Sequence, residues 1–354
     1  MIDKIINLKS YSLTRSKKST IFLKSINKLT LHHYKNCKDY KKIIDNLKFK
    51  INSKKKLEDF PMIPVRMFKN FNLKSVSKNK IVKTLVSSGT SGQNPSRIYL
   101  DKENAINQAK ALKNIMESVL GKKRLPMLII DQNPNLTDRL IFNAKSAAIY
   151  GFSLFGKNYC YLLNKSGDID YRSLNNFLKK FSKEKFFIFG FTSSIYENLI
   201  CKLSSKLINK NFQNGILLHG GGWKKLENLK INNQQFKQKL FNKTKIKNIY
   251  NYYGMVEQTG SIFIECKKCV YFITSNFSDI IIRDRNFEVA KKGTKGLIQL
   301  LSLLPTSYPG HNILTEDIGE IVEEKYCRCG IKGKCFVVHG RAKEAEIRGC
   351  SDAR

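Results

Sequence analysis

Arginine is scarce in this chain. Of 64 basic residues only 12 are arginine and 52 are lysine; against 28 acidic residues this gives a formal charge of +36. Recognition of phosphates and bases favours the forked guanidinium. The excess is also dispersed, with 22 basic and 5 acidic residues in positions 1–83 (+17) and the remaining +19 spread over 271 residues. Both features speak against nucleic acid as a partner and for lysine as solvated surface. No apolar run is long enough to span a bilayer, and the N-terminal MIDKIINLKSYSLTRSKKST has no apolar core of signal-peptide length. A soluble, cytoplasmic protein with no membrane span is therefore expected. Nine cysteines, an odd number without an export signal, exclude a disulfide framework as the expectation. They point to reduced thiols, metal ligands or a reactive sulfur. There is no internal repeat, and no low-complexity tract beyond the lysine bias.

What is present is enough for a folded core. The chain has 354 residues, 42% of them hydrophobic, which excludes wholesale disorder and allows about two domains or one large α/β domain. Residues 1–60 read as a basic helical segment, ended by Phe60-Pro61-Met62-Ile63-Pro64, whose two prolines force an extended crossing. From residue 84 on, apolar runs (Leu125–Ile130, Tyr159–Leu163, Phe186–Phe189, Ile216–Leu218, Ile246–Tyr250) alternate with helical spacing at Lys102–Leu120 and Tyr171–Phe181. That alternation predicts an α/β fold of parallel strands with crossover helices. After residue 260 the pattern turns to strands (Ser261–Glu265, Asp279–Arg283, Lys295–Leu301), predicting a small β-rich subdomain over about 260–341.

Two loops carry chemistry. In Ser87-Ser88-Gly89-Thr90-Ser91-Gly92, small hydroxyl residues interleaved with glycine leave backbone N–H groups free to surround a polyphosphate. No Gly-Lys-Ser/Thr closes it, so a P-loop kinase or GTPase is disfavoured; a flexible Ser/Gly loop is the bland alternative. Asn251-Tyr252-Tyr253-Gly254-Met255-Val256-Glu257 follows a predicted strand, where α/β folds place ligands, and offers aromatic faces for a base and a carboxylate suited to Mg²⁺. His219-Gly220-Gly221-Gly222 ends another strand; its glycines could let a flat ring lie against backbone, or simply turn the chain.

These loops, with Leu314-Thr315-Glu316-Asp317 and Gly340-Arg341-Ala342-Lys343, stand in the order of the core motifs of adenylate-forming enzymes. Tyr253–Gln258, Tyr308-Pro309-Gly310-His311 and Arg348-Gly349-Cys350-Ser351-Asp352 more closely resemble the acyl-protein synthetase (LuxE) family, from about Phe60 to the C-terminus. The resemblance implies an adenylate-forming domain over 61–341, a hinge remnant and tail over 342–354, and an essentially absent C-terminal small domain. It also implies that Ser87, Ser88, Gly89, Thr90, Ser91 and Gly92 hold the ATP phosphates and that Gly220, Gly221 and Gly222 with Tyr253 enclose the adenine. Glu257 would bind Mg²⁺, Asp317 the ribose hydroxyls, and Arg341 would lie near ribose and phosphates. Cys350 would carry the acyl group as a thioester. The implied substrate is a carboxylic, fatty acid, and the implied partners are an acyl reductase or an acyl carrier protein.

An acyl-CoA or carrier-protein-loading ligase of surface-polysaccharide or lipid modification, and a non-catalytic homologue binding acyl groups or nucleotide, are the alternatives. Three departures weigh for the last: Ser96 and Arg97 follow Pro95 where a lysine is usual, Val256 replaces a threonine, and only eleven residues follow Lys343. His219 and His311 lie in the site loops, but an already ionised acid needs no general base, so positional roles are expected. Cys266-Lys-Lys-Cys269 and Cys327-Arg-Cys329, with Cys335 close behind, could place four thiolates around a structural Zn²⁺ or remain unligated thiols.

Overall fold

The computed structural model describes residues 2–51, 55–87, 95–134, 141–204, 211–222, 229 and 231–342. The described residues up to Ile115, with 141–142 and those from Gly254 on, form one compact unit; the others form a second.

After a short helical turn at Ile2–Ile6, the first unit continues with helices α1 (Arg15–Asn36) and α2 (Lys38–Asn46). Phe22, Ile26, Leu29 and His33 of α1 recur at helical spacing and are buried, forming one packing stripe. Its partners lie far along the chain: Thr30 Oγ1 is 3.0 Å from His311 Nε2, and His33 Nε2 is 3.2 Å from Pro305 O. The helical segment before the prolines thus packs into the same unit as residues 254–342. Ile63 and Pro64 are indeed extended, pairing in parallel with Ile313 and Leu314. Lys18 departs from the reading of lysine as surface. It is buried, donates to Thr274 Oγ1 at 2.9 Å and lies 3.9 Å from Asp279, which also pairs with Lys334 at 3.2 Å. Burial lowers its pKa to about 8. Strands β1 (Ile81–Val86) and β2 (Arg97–Asp101) pair antiparallel and lead into α3 (Lys102–Leu120), whose bounds are those the spacing predicts.

The second unit is the predicted crossover fold. Strands β3 (Leu125–Gln132), β4 (Gly156–Leu163), β5 (Phe186–Phe191), β6 (Gly215–Gly220) and β7 (Asn248–Tyr253) form a parallel sheet in the order β4-β3-β5-β6-β7. Helices α4 (Ala144–Ser153), α5 (Tyr171–Phe181) and α6 (Asn233–Thr244), with a π-helical turn over Ile195–Lys202, make the crossovers. β5 is buried along its whole length, and its period-two alternation divides its aromatics between the faces. Phe186 and Ile188 join Leu174, Phe177 and Leu178 of α5 in one core, while Phe189 packs on Phe152 of α4 at a centroid distance of 4.5 Å.

Back in the first unit, β8 (Phe263–Glu265), β9 (Phe272–Ile273), β10 (Ser278–Arg283), β11 (Gly296–Ser302), β12 (Asn312–Glu323) and β13 (Cys335–Arg341) form the β-rich part, paired antiparallel in the order β10-β11-β12-β13-β9-β8. No helix among the described residues is long and apolar enough to cross a membrane.

Candidate active site

In the second unit, the predicted adenine-binding residues sit at the carboxyl ends of neighbouring parallel strands, where α/β sheets receive ligands. Gly220 closes β6 in register with Tyr252 of β7, one residue before Tyr253. A Cβ on Gly220 would come within 2.4 Å of the Tyr252 ring, so this glycine exists to admit that tyrosine. A Cβ on Gly222 would touch nothing within 4 Å. His219 is buried, with Nδ1 3.0 Å from Thr192 Oγ1 and its ring against Phe236. Burial lowers its pKa to about 3, so it is neutral.

In the first unit, Glu257 lies in a one-turn 3₁₀ helix, Val256–Gln258, and is buried. The next residue anchors this turn: Gln258 Nε2 donates to Gly310 O at 2.9 Å and to Leu300 O at 3.2 Å. Gly310 itself approaches so closely that a Cβ there would lie 2.7 Å from Glu257 O and 2.3 Å from the Tyr308 ring. The motif Tyr308–His311 is therefore the floor beneath Glu257. Burial, and then the Glu257 charge, push the Tyr308 hydroxyl above its ordinary pKa. A buried carboxylate of this kind fits the oxygen donor that Mg²⁺ takes. His311 is buried and neutral, its pKa lowered by burial to about 3.

Asp317 of β12 and Arg341 of β13 face each other as register partners, with Arg341 Nε 3.8 Å from Asp317 Oδ1. Arg341 also reaches Glu316 at 3.9 Å, and Glu316 in turn accepts from Arg66 Nε. The sequence reading gives Glu316 no role beyond its place in the Leu314–Asp317 motif and does not name Arg66: they stand 250 residues apart, and no local pattern links them. With Arg341 36% and Asp317 18% exposed and 3.8 Å between the paired atoms, this ion pair adds little to stability.

Ser87 ends just after β1. Its N–H donates to Ser96 O at 3.0 Å, and its hydroxyl accepts from Ser96 N at 2.8 Å. Ser87 thus closes the neck of the glycine-rich loop. Ser88, Gly89, Thr90, Ser91, Gly92, Lys343 and Cys350 lie outside the described residues. The cysteine pairs do converge: the Sγ atoms of Cys266, Cys269, Cys327 and Cys329 all lie within 4.8 Å of one another.

Comparison with known proteins supplies the family. Among solved structures, 2-hydroxyisobutyryl-CoA ligase in the postadenylation state superposes with a TM-score of 0.68 at 12% identity, over 95% of this chain and 70% of that one. ATP-bound MatB from Rhodopseudomonas palustris gives 0.51 at 12% identity (77% and 50%), and the amide bond synthetase McbA from Marinactinospora thermotolerans 0.50 at 13% (82% and 53%). The fold is that of adenylate-forming ligases. A search of curated proteins finds no match. The profile of the family described as acyl-protein synthetase, LuxE, matches residues 1–354, so the chain belongs to the acyl-protein synthetase, LuxE, family.

Proposed function

We propose that this chain activates a carboxylic acid, fatty in class, with ATP and Mg²⁺ and passes the acyl group to a thiol, first that of Cys350. In the first step a carboxylate oxygen attacks the α-phosphorus and the bond to pyrophosphate breaks, giving acyl-AMP. In the second, a thiolate attacks the acyl carbon and AMP leaves with the electron pair. Joining two anions needs charge neutralisation and alignment more than a side-chain nucleophile. Bound Mg²⁺ supplies part of that neutralisation. Glu257 is the residue to hold it, Asp317 accepts from ribose hydroxyls, and Arg341 faces the nucleotide phosphates. Tyr253 and Gly220–Gly222 receive the adenine, and the loop from Ser87 to Gly92 receives the phosphates.

The observation that supports this reading best is the register pairing of Asp317 with Arg341, which sets a carboxylate and a guanidinium side by side on adjacent strands. The test is ATP–pyrophosphate exchange with a panel of carboxylic acids of different chain length. Acid-dependent exchange is expected, strongest with long alkyl chains. Nucleotide binding without exchange would identify a non-catalytic homologue. Exchange with acyl transfer only to added coenzyme A or carrier protein would move the acceptor away from Cys350.

A further inference from the structure

We propose that Cys266, Cys269, Cys327 and Cys329 form a closed tetrathiolate Zn²⁺ site that fastens the 327–331 loop to the turn between β8 and β9. The four residues come from two segments about sixty positions apart, yet their sulfur atoms lie mutually within 4.8 Å, with Cys266 Sγ and Cys329 Sγ 3.3 Å apart. Four sulfurs at about 2.3 Å from a tetrahedral ion are about 3.8 Å from each other, so the cluster already has the required size. Soft thiolates in a tetrahedral set select Zn²⁺ over hard oxygen-seeking cations. With all four positions filled by protein, the ion is structural.

The backbone around the cluster is built for this. Each cysteine pair sits in a tight turn: Cys266 O accepts from Val270 N at 2.9 Å, and Cys327 O accepts from Gly330 N at 2.8 Å. Each turn closes on a left-handed residue, Gly330 at φ 88° and Val270 at φ 61°. That conformation disfavours a β-branched side chain and persists only where its surroundings hold it. Free thiols are weak hydrogen-bond groups and offer little for this strain; a metal tying both turns offers much more. A Zn²⁺ with four thiolates carries a net charge of −2, and exposed Lys267, Lys268 and Arg328 stand between the ligands to offset it. Binding releases the thiol protons to solvent, and no oxidant is required.

Cys335 supplies an internal control. It is buried in the same small apolar cluster with Ile273 but is not one of the four converging sulfurs. Elemental analysis of the purified full-length chain is expected to find about one zinc per molecule. Cys266→Ser and Cys329→Ser should lose most of it, whereas Cys335→Ser keeps it. Replacement by Co²⁺ should give the strong near-ultraviolet thiolate-to-cobalt band and visible absorption of a tetrahedral site, a readout on the wild-type chain that stands even where a variant fails to fold. Folded wild-type protein with no metal and titratable thiols, disulfides among these cysteines, bound iron, or loss of zinc in Cys335→Ser would each overturn the proposal. None of these measurements depends on acyl activation, so the metal site and the ligase reading succeed or fail separately.

Discussion

His33 and His311 stack with ring centroids 4.9 Å apart and an interplanar angle of 26°, both fully buried. Helix α1 and the Tyr308–His311 motif thus meet through two imidazoles, each lowered in pKa mainly by burial, His311 to about 3 and His33 well below its ordinary 6.5. Their folded-state pKa values lie below the unfolded value, so the unfolded chain binds more protons as pH falls through 6.5. Stability should therefore decline from about pH 6.5 toward pH 3, by up to roughly 1.4 kcal/mol per pH unit for each histidine. Urea unfolding at pH 7.5 and 5.5 measures this, and His33→Gln should flatten the dependence. Equal midpoints at the two pH values in the wild type would remove the argument.

Glu257→Gln and Asp317→Ala should each lower acid-dependent ATP–pyrophosphate exchange by about tenfold to a thousandfold, the range of one lost charged contact. Circular dichroism and thermal melts should stay close to wild type for Asp317→Ala, because that side chain is partly exposed and its ion pair is weak. Undiminished exchange in folded variants would reassign both residues.

The two half-reactions should come apart at Cys350. In Cys350→Ser, exchange is expected to persist while hydroxylamine-sensitive labelling of the chain by radiolabelled acid and ATP disappears, since only the second step needs the thiol. Full labelling of the variant would place the acyl group elsewhere.

Gly310→Ala tests the floor beneath Glu257. The added methyl meets the Tyr308 ring and Glu257 O well inside contact distance. Overpacking of this kind costs about 1–3 kcal/mol, and here it pushes on the turn that carries the proposed Mg²⁺ carboxylate. Both a lower melting temperature and a higher KM for ATP are expected; a change in neither would show that the turn yields freely.

The elements legible in the sequence are those whose own composition decides them. Lys102–Leu120 and Tyr171–Phe181 have helical spacing strong enough to fix both ends, and the run at Phe186 is too apolar to be anything but buried. Helix α6 escaped notice because Asn233–Thr244 is mostly polar and buries only Phe236, Leu240 and Thr244. β12 was read as the motif Leu314–Asp317 rather than as a twelve-residue strand, because its alternation is broken by a run of buried residues at its start. Within the candidate site, Glu257, Asp317 and Arg341 are proposed from the order of their motifs. Glu316 stands in the same motif as Asp317, but its pairing with Arg66 is not legible, because an ion pair closed over 250 residues leaves no trace in either neighbourhood. Buried Lys18 was hidden for the same reason, its carboxylate being Asp279.

The seat of α1 has a consequence for biosynthesis. The buried Thr30 hydroxyl must wait for its contact with His311, 281 residues further on. At about 5–20 residues per second, a ribosome needs roughly a quarter of a minute to a minute to deliver it. All strands of the parallel sheet, residues 125–253, are delivered within that interval, so the sheet can fold before α1 meets the Tyr308–His311 motif. Until then the face of α1 that carries Lys18, Thr30 and His33 lacks the partners it finds in Thr274, His311 and Pro305, and a chaperone that shields α1 early should protect this protein more than one recruited after release.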